Sequence, residues 1–340
     1  MQTDIHGSNK AALAPLRHAL YNYAPESVRH ALDSAFRHDA KVQLATPFED
    51  LDGPQGLYRE AFEPLQRAIP DLERRDTIVI AGPGALEGDW VGCCGYYTGT
   101  FVRPWLDIPP TGHQVSLRFH EFFRMEGGKV VEMQALWDIP ELMLQARAWP
   151  MAPSLGREWH VPGPATQDGL VTGVRDDDGS QSSRQLVQDM LAGLAKFATG
   201  GVAAMELEKY WHPRFSWYGP SGIGTGRGVS GFRNWHQIPF LGGMPDRKGT
   251  GGKGNFFADG DYVGFTAWPG MSATITGDGW LGIAPSGQKI TMRSLDFWRC
   301  ENGLIRENWV LVDLLHVYRQ IGVDVLARMR EFNKARQPLG

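Results

Sequence analysis

Cysteine is scarce in this chain: Cys93, Cys94 and Cys300 are the only three in 340 residues. An odd count with two adjacent members makes no disulfide framework, so a reducing, cytoplasmic location is the expectation. No apolar run approaches the length of a membrane span. The N-terminal stretch MQTDIHGSNKAALAPL lacks a basic region followed by an apolar block, so no secretory signal is expected. Charge of one sign is lacking too. A formal net charge of −4 argues against nucleic acid or a membrane surface as partner. The ten histidines show no metal-ligand spacing. His120-Glu121-Phe122-Phe123-Arg124 lacks the second histidine of the zinc helix motif, and no metal is expected. Gly249-Thr250-Gly251-Gly252-Lys253-Gly254 does not match the phosphate-cradling loop and reads as a flexible connection or lid.

What the chain has is a repeat. Gly287 to Asp313, GQKITMRSLDFWRCENGLIRENWVLVD, registers without a gap on Gly112 to Asp138, GHQVSLRFHEFFRMEGGKVVEMQALWD, at a shift of 175 residues. Arg293 falls on Arg118, Asp296 on Glu121, Glu307 on Glu132 and Asp313 on Asp138. The same shift carries Met244-Pro245-Asp246 onto Ile69-Pro70-Asp71. The period is domain-sized, so the chain holds two copies of one domain rather than a solenoid. The division expected is 1–146, a linker at 147–182 rich in Pro, Gly, Ser and Asp, and 183–340.

Each copy reads as helices, then strands, then a helix. In the first, apolar spacing predicts helices within 16–39 and 57–69, the second stopped by Pro70. Strands are predicted at 41–45, 77–81, 89–97, 115–124 and 129–137, with a hairpin turn at Glu126-Gly127-Gly128. In the second, helices are predicted at 184–199, 229–240 and 314–332, and strands at 215–218, 262–268, 273–283, 289–300 and 304–312. Asp138 and Asp313 stand where helix N-caps belong. The fold class is α+β: in each copy a curved antiparallel sheet covered by helices.

The order of short motifs resembles a known family. Gly53-x-x-Gly56-Leu57 and Gly228-x-x-Gly231-Phe232 precede a helix, and a Pro-Asp pair follows it. Pro110-x-Gly112 and Pro285-x-Gly287 open a strand. Arg124, Gly128, Val130, Glu132 and Asp138, and their counterparts Arg299, Gly303, Ile305, Glu307 and Asp313, complete the pattern. This resembles the SnoaL-like polyketide cyclases, of the superfamily of nuclear transport factor 2 and ketosteroid isomerase, over 20–146 and 184–330. The resemblance implies two tandem cones of the cystatin-like kind, each with an apolar pocket, and cofactor-independent acid/base chemistry. It also implies that the duplication builds within one chain the dimer that single-domain relatives form through their sheets. Arg118 and Arg293 are candidates for that interface, and a further homo-oligomer is left open. One acid/base position of the family falls on Glu121 and Asp296. The other, an aspartate after the tryptophan of a Glu-His-Trp-Asp run, is Ala135 in copy one and Val310 in copy two.

Alternate residues of a strand share a face, so Asp296 lies with Met292, Ser294 and Trp298, and Glu121 with Leu117, Phe119 and Phe123. A carboxylate among apolar side chains has a raised pKa and can act as a base near neutral pH. The alternative is an ion pair with Arg293 or Arg299. The candidate catalytic residues are Asp296, His236, Tyr218, Glu121 and His120, with Asp296 as base and His236 or Tyr218 as proton donor. Seven of the twelve tryptophans lie between Trp211 and Trp309. Trp217, Trp235, Trp298, Trp309 and Asn308 are the candidate ligand-binding residues, which makes copy two the expected working site. The function expected is a cyclase, isomerase, dehydratase or retro-aldol lyase acting on a small carbonyl or polyhydroxy compound. The competing reading is a non-catalytic module that binds a small molecule.

Overall fold

The structure, a computed structural model, describes residues 4–249, 254–278 and 280–334. Two sheets, each with its own helices, lie against one another. The first half opens with helices Ile5–Tyr21 and Pro25–Ala35. In the latter Val28, Ala31, Leu32 and Ala35 form one buried stripe at helical spacing, and Pro25 occupies the first turn, where no N–H partner is lost. Strands β1 (Phe36–Leu44), β2 (Glu49–Leu51), β3 (Glu73–Pro83), β4 (Asp89–Thr100), β5 (Gln114–Glu126) and β6 (Lys129–Trp137) make a sheet of order β2-β1-β6-β5-β4-β3. Between β2 and β3 runs the covering helix, widened at Leu57–Phe62 into π-helical turns.

The second half repeats this plan. Its strands are β7 (Trp211–Tyr218), β8 (Thr225–Arg227), β9 (Lys248–Gly249), β10 (Asn255–Asp259), β11 (Tyr262–Thr274), β12 (Lys289–Glu301) and β13 (Leu304–Val312). The main order is β10-β11-β12-β13-β7-β8, with β9 on β11. The covering helix again widens, at Arg233–Gln237. Each sheet is mixed rather than wholly antiparallel, because β1 joins β6, and β7 joins β13, in parallel.

Several boundaries differ from expectation. The strand expected at 273–283 ends at Thr274, where Asp246 takes the Thr274 N–H and hydroxyl and the chain turns. Strand β10 had no clear alternation to announce it. The last helix is split into Leu314–Gln320 and Val325–Asn333. Gly322, at φ +81°, supplies the left-handed turn between them. The first helix of the second half starts at Asp177, inside the stretch read as linker, capped by Asp176. The connection before it is pinned to both halves: Tyr96 donates to the Val161 carbonyl and Trp309 to that of Pro162. Of the glycine-rich stretch, 250–253 lies outside the described residues.

The two sheets meet face to face about a pseudo-twofold axis. Phe122 and Phe297, equivalent in the repeat, stack at 4.8 Å. Gly92 pairs with Phe122 across the first sheet, and a Cβ there would strike the Phe297 ring. Gly264 pairs with Phe297, and a Cβ there would crowd Phe257 and Phe122. At the rims, Asp138 accepts from the Ser221 N–H at 2.9 Å and Asp313 from the Thr46 N–H at 3.0 Å. Thr46 and Ser221 are again 175 residues apart. Asp313 also caps its helix through the His316 N–H. Asp138 makes no such cap bond, so the capping expectation fails there: its carboxylate is spent on the other half. Arg118 donates to the carbonyls of Gly219 (2.6 Å) and Val310 (3.3 Å) and pairs with Asp138, while Arg293 pairs with Asp313 and Glu49.

Arg118 is fully enclosed and Arg293 is not. Arg118→Met should therefore cost about 3–5 kcal/mol, since Asp138 and the carbonyls lose their only cation. Arg293→Met should cost clearly less. Urea unfolding of the two variants beside the parent checks the order.

Candidate active site

The cone interiors of the two halves differ, and the difference is written in paired positions. On β5 and β6, Phe119 lies opposite Trp137. With Phe62, Tyr97 and Trp105 these rings pack centroid to centroid at 4.8–6.4 Å and fill the first cone. At the same register in the second half, Ser294 lies opposite Val312, and Gln237 stands where Phe62 does. Three aromatic rings are thus replaced by small or slender side chains. The second cone holds a cavity of about 440 Å³, in the range of small-molecule sites.

Asp296 lines this cavity from the middle of β12. Its one hydrogen bond is from the Ser294 hydroxyl, 2.8 Å to Oδ1. It is partly accessible. Among the described residues no arginine reaches it: Arg293 and Arg299 project from the other face of β12 to Asp313 and Glu307. Burial without a compensating cation pushes its pKa up to about 7. His236 lies in the opposite wall, its ring stacked on Trp217 at 4.0 Å and 14°. Among the described residues nothing hydrogen-bonds either ring nitrogen. Desolvation, and then the nearby Arg247 charge, lower its pKa to about 3, so the ring is neutral at pH 7. Trp217, Trp298 and Asn308 line the same space.

The remaining sequence candidates lie elsewhere. Tyr218 follows Trp217 on β7 and so faces the other sheet, where its hydroxyl donates to Glu307 at 3.2 Å. It is not a proton donor to the cavity. His120 faces the interface for the same reason. Its Nδ1–H donates to the Leu295 carbonyl at 2.6 Å, and enclosure holds its pKa far below the usual value. Glu121 points into the filled cone and is fully engaged by Arg74 (2.6 Å), Tyr97 (2.9 Å) and Trp137 (3.0 Å). It is a structural ion pair rather than a base. Trp309 is in the interface and Trp235 is half exposed at the surface. Sequence reasoning missed Gln237, Trp211, Trp280 and Arg247 on the cavity wall. Comparing the repeats ring by ring, with Phe62, Phe119 and Trp137 against Gln237, Ser294 and Val312, would have located the cavity. Among the described residues no group of three or more potential ligands could hold a metal ion. Nor is any helix among them long and apolar enough to cross a membrane.

These features define a tandem cone-shaped α+β protein with a pocket in its second cone. The family model for SnoaL-like polyketide cyclase matches residues 16–146 and 194–321, and the chain belongs to that family. The family supports an enzymatic function of cyclase type on a small molecule. No curated protein matches the chain. Among solved structures it is similar to AclR of Streptomyces galilaeus, at 20% identity and a TM-score of 0.34, over 41% of this chain and 84% of that one. It is similar to a SnoaL-like protein of Jannaschia sp. CCS1, at 22% and 0.33, over 42% and 94%. IdmH of Streptomyces antibioticus matches at 19% and 0.33, over 40% and 96%. Each neighbour thus has about the length of one half.

The equivalent carboxylates should respond oppositely to neutralisation. Folded Asp296 keeps its proton up to about pH 7, whereas the unfolded chain releases it near 3.8. The stability it lends is therefore full below about pH 4 and lost as pH rises toward 7. Asp296→Asn should be more stable than the parent at about pH 8, by roughly 3–4 kcal/mol relative to the difference at about pH 4. Glu121→Gln removes one of the two carboxylates on the buried Arg74, Asp76 being the other, and should cost about 1–3 kcal/mol. Denaturant titration at both pH values checks both signs.

Proposed function

We propose that the second half is a cofactor-independent acid/base enzyme that removes a proton beside a carbonyl group of a ring-bearing small molecule. The observation that carries this is Asp296, a carboxylate with a hydroxyl as its one partner in an apolar, aromatic-walled cavity. Ionised Asp296 takes the C–H proton, and the electron pair moves onto the carbonyl oxygen as an enolate. A pKa near 7 matches a base that must be unprotonated before the step and hold the proton after it. Neutral His236 can donate an N–H hydrogen bond to the developing oxygen, without a charge that would otherwise seek Asp296. The enolate then attacks a second carbonyl within the substrate, expels a leaving oxygen or regains the proton at another carbon. Cyclase, dehydratase or lyase, and isomerase outcomes thus share this first step, and the family's name favours intramolecular closure.

The second reading, a non-catalytic binding module, draws support from Val310, where the family's other acid/base aspartate would stand. It needs neither a base nor a pKa near 7. The test is solvent-deuterium exchange at the carbon beside the carbonyl in a panel of aromatic ketones such as 2-tetralone, followed by NMR. The expected result is exchange above the buffer rate that rises with pH to a plateau past about 7. Asp296→Asn should lose about 100-fold or more. Exchange at the buffer rate throughout, together with ketone binding unchanged in Asp296→Asn, would leave the binding module standing.

A further inference from the structure

A second ionised side chain lines the cavity and is not used by the proton transfer. Arg247 follows the covering helix of the second half and reaches the wall beside His236. Among the described residues its side chain makes one hydrogen bond, from Nη2 to the Leu194 carbonyl at 3.1 Å. Among the described residues no carboxylate lies within ion-pair distance of it. Asp246, its neighbour in sequence, is turned away and occupied by Thr274. Asp296 shares the cavity but does not pair with Arg247, since its oxygens are within reach of Ser294 alone. Burial without an anionic partner lowers the Arg247 pKa. Most enclosed guanidinium groups here have a carboxylate: Arg74 has Glu121 and Asp76, Arg118 has Asp138, and Arg299 has Glu307. Arg247 instead ends a ladder of rings. Trp217 stacks on His236, His236 lies 5.2 Å from Phe240, and the Arg247 guanidinium sits 5.7 Å from the Phe240 centroid. The cavity therefore has an aromatic wall with an unpaired cation at its end and an unpaired carboxylate on the facing strand.

We propose that the substrate is an aromatic carboxylate, its ring laid along the Trp217–His236–Phe240 wall and its anionic end held by Arg247. This inference rests on the enzyme reading above and names the substrate class of the same site. The guanidinium supplies the fork of N–H donors that a carboxylate accepts in pairs, which a neutral amide or ester cannot match. Binding at that end also fixes which carbon beside the substrate's carbonyl meets Asp296, because the ligand's own negative charge is held away from the base.

The test compares 2-naphthoate with neutral 2-naphthamide by isothermal titration calorimetry on the full chain. The parent should bind the naphthoate about tenfold or more tightly than the amide, with affinity falling as salt is raised. Arg247→Met, and separately Arg247→Gln, should erase the preference and leave amide binding within about twofold. Asp296→Asn should keep it. Equal binding of the two probes by the parent, no binding of the naphthoate, or a preference that survives both arginine substitutions would overturn the inference. Deuterium exchange lost in Asp296→Asn without any anion preference would sink this inference alone. An anion preference in a protein that exchanges no proton would instead sink the enzyme reading.

Discussion

The contact between the two sheets is the constraint on which the rest of the molecule depends. Each sheet is covered by its helices on one face and by the other sheet on the other. Strands β5 and β12 therefore have no solvent side. One set of alternate residues fills a cone and the other set fills the interface. Burying Phe122 and Phe297 against Gly92 and Gly264 contributes about 1.5–3 kcal/mol per ring, with a little more from the stacking geometry. The glycines are what let the sheets approach this closely. A duplicated sequence satisfies such an interface with one solution used twice, which is why Thr46 and Ser221 answer to Asp313 and Asp138 in the same way.

With the interface held in common, the interiors were free to diverge. At the Glu121 and Asp296 positions the backbone, the register and the charge type agree, yet the chemistry is opposite. In the first cone a buried arginine, a tyrosine and a tryptophan surround the carboxylate, and aromatic rings close the space. In the second the arginine's counterpart in the repeat is Gly249, the rings are gone, and a hydroxyl is left as the sole partner. A paired carboxylate stabilises the fold and is useless as a base near neutral pH. A desolvated, unpaired one costs stability and gains basicity. The two halves divide these arrangements between them.

Much of this was legible in the sequence. The repeat, the α+β plan, the strand register and the inward placement of Asp296, Trp217 and Trp298 follow from the 175-residue shift and from strand alternation. Two of the site residues failed for one reason: both sheet faces are buried, so burial and polarity no longer tell the cone from the interface. Tyr218 and His120 have the chemistry of site residues, but the alternation that puts Trp217 and Glu121 inward turns them to the other sheet. Glu121 misled for a different reason. Its partner Arg74 comes from a distant strand, and no local pattern announces a pairing 47 residues away. The closure of the first cone and the opening of the second were present as Phe62, Phe119 and Trp137 against Gln237, Ser294 and Val312, but only as differences between the repeats rather than as a motif.

The free charges in the second cone explain why its aromatic lining is more than core packing. A domain that needed only stability would pair Arg247 with Asp296, or replace both with apolar side chains at little cost or some gain. It does neither, and three indole N–H groups on the cavity wall, those of Trp211, Trp280 and Trp298, also lack partners among the described residues. Uncompensated polar groups of this kind accumulate where a structure is built around something it does not itself contain. On the reading proposed here, the separation of the two charges orients a ligand with its anionic end at Arg247 and its acidic C–H at Asp296. The interface and the filled half keep those two walls apart, since a collapse that joined the charges would have to move β12, which both sheets hold in place.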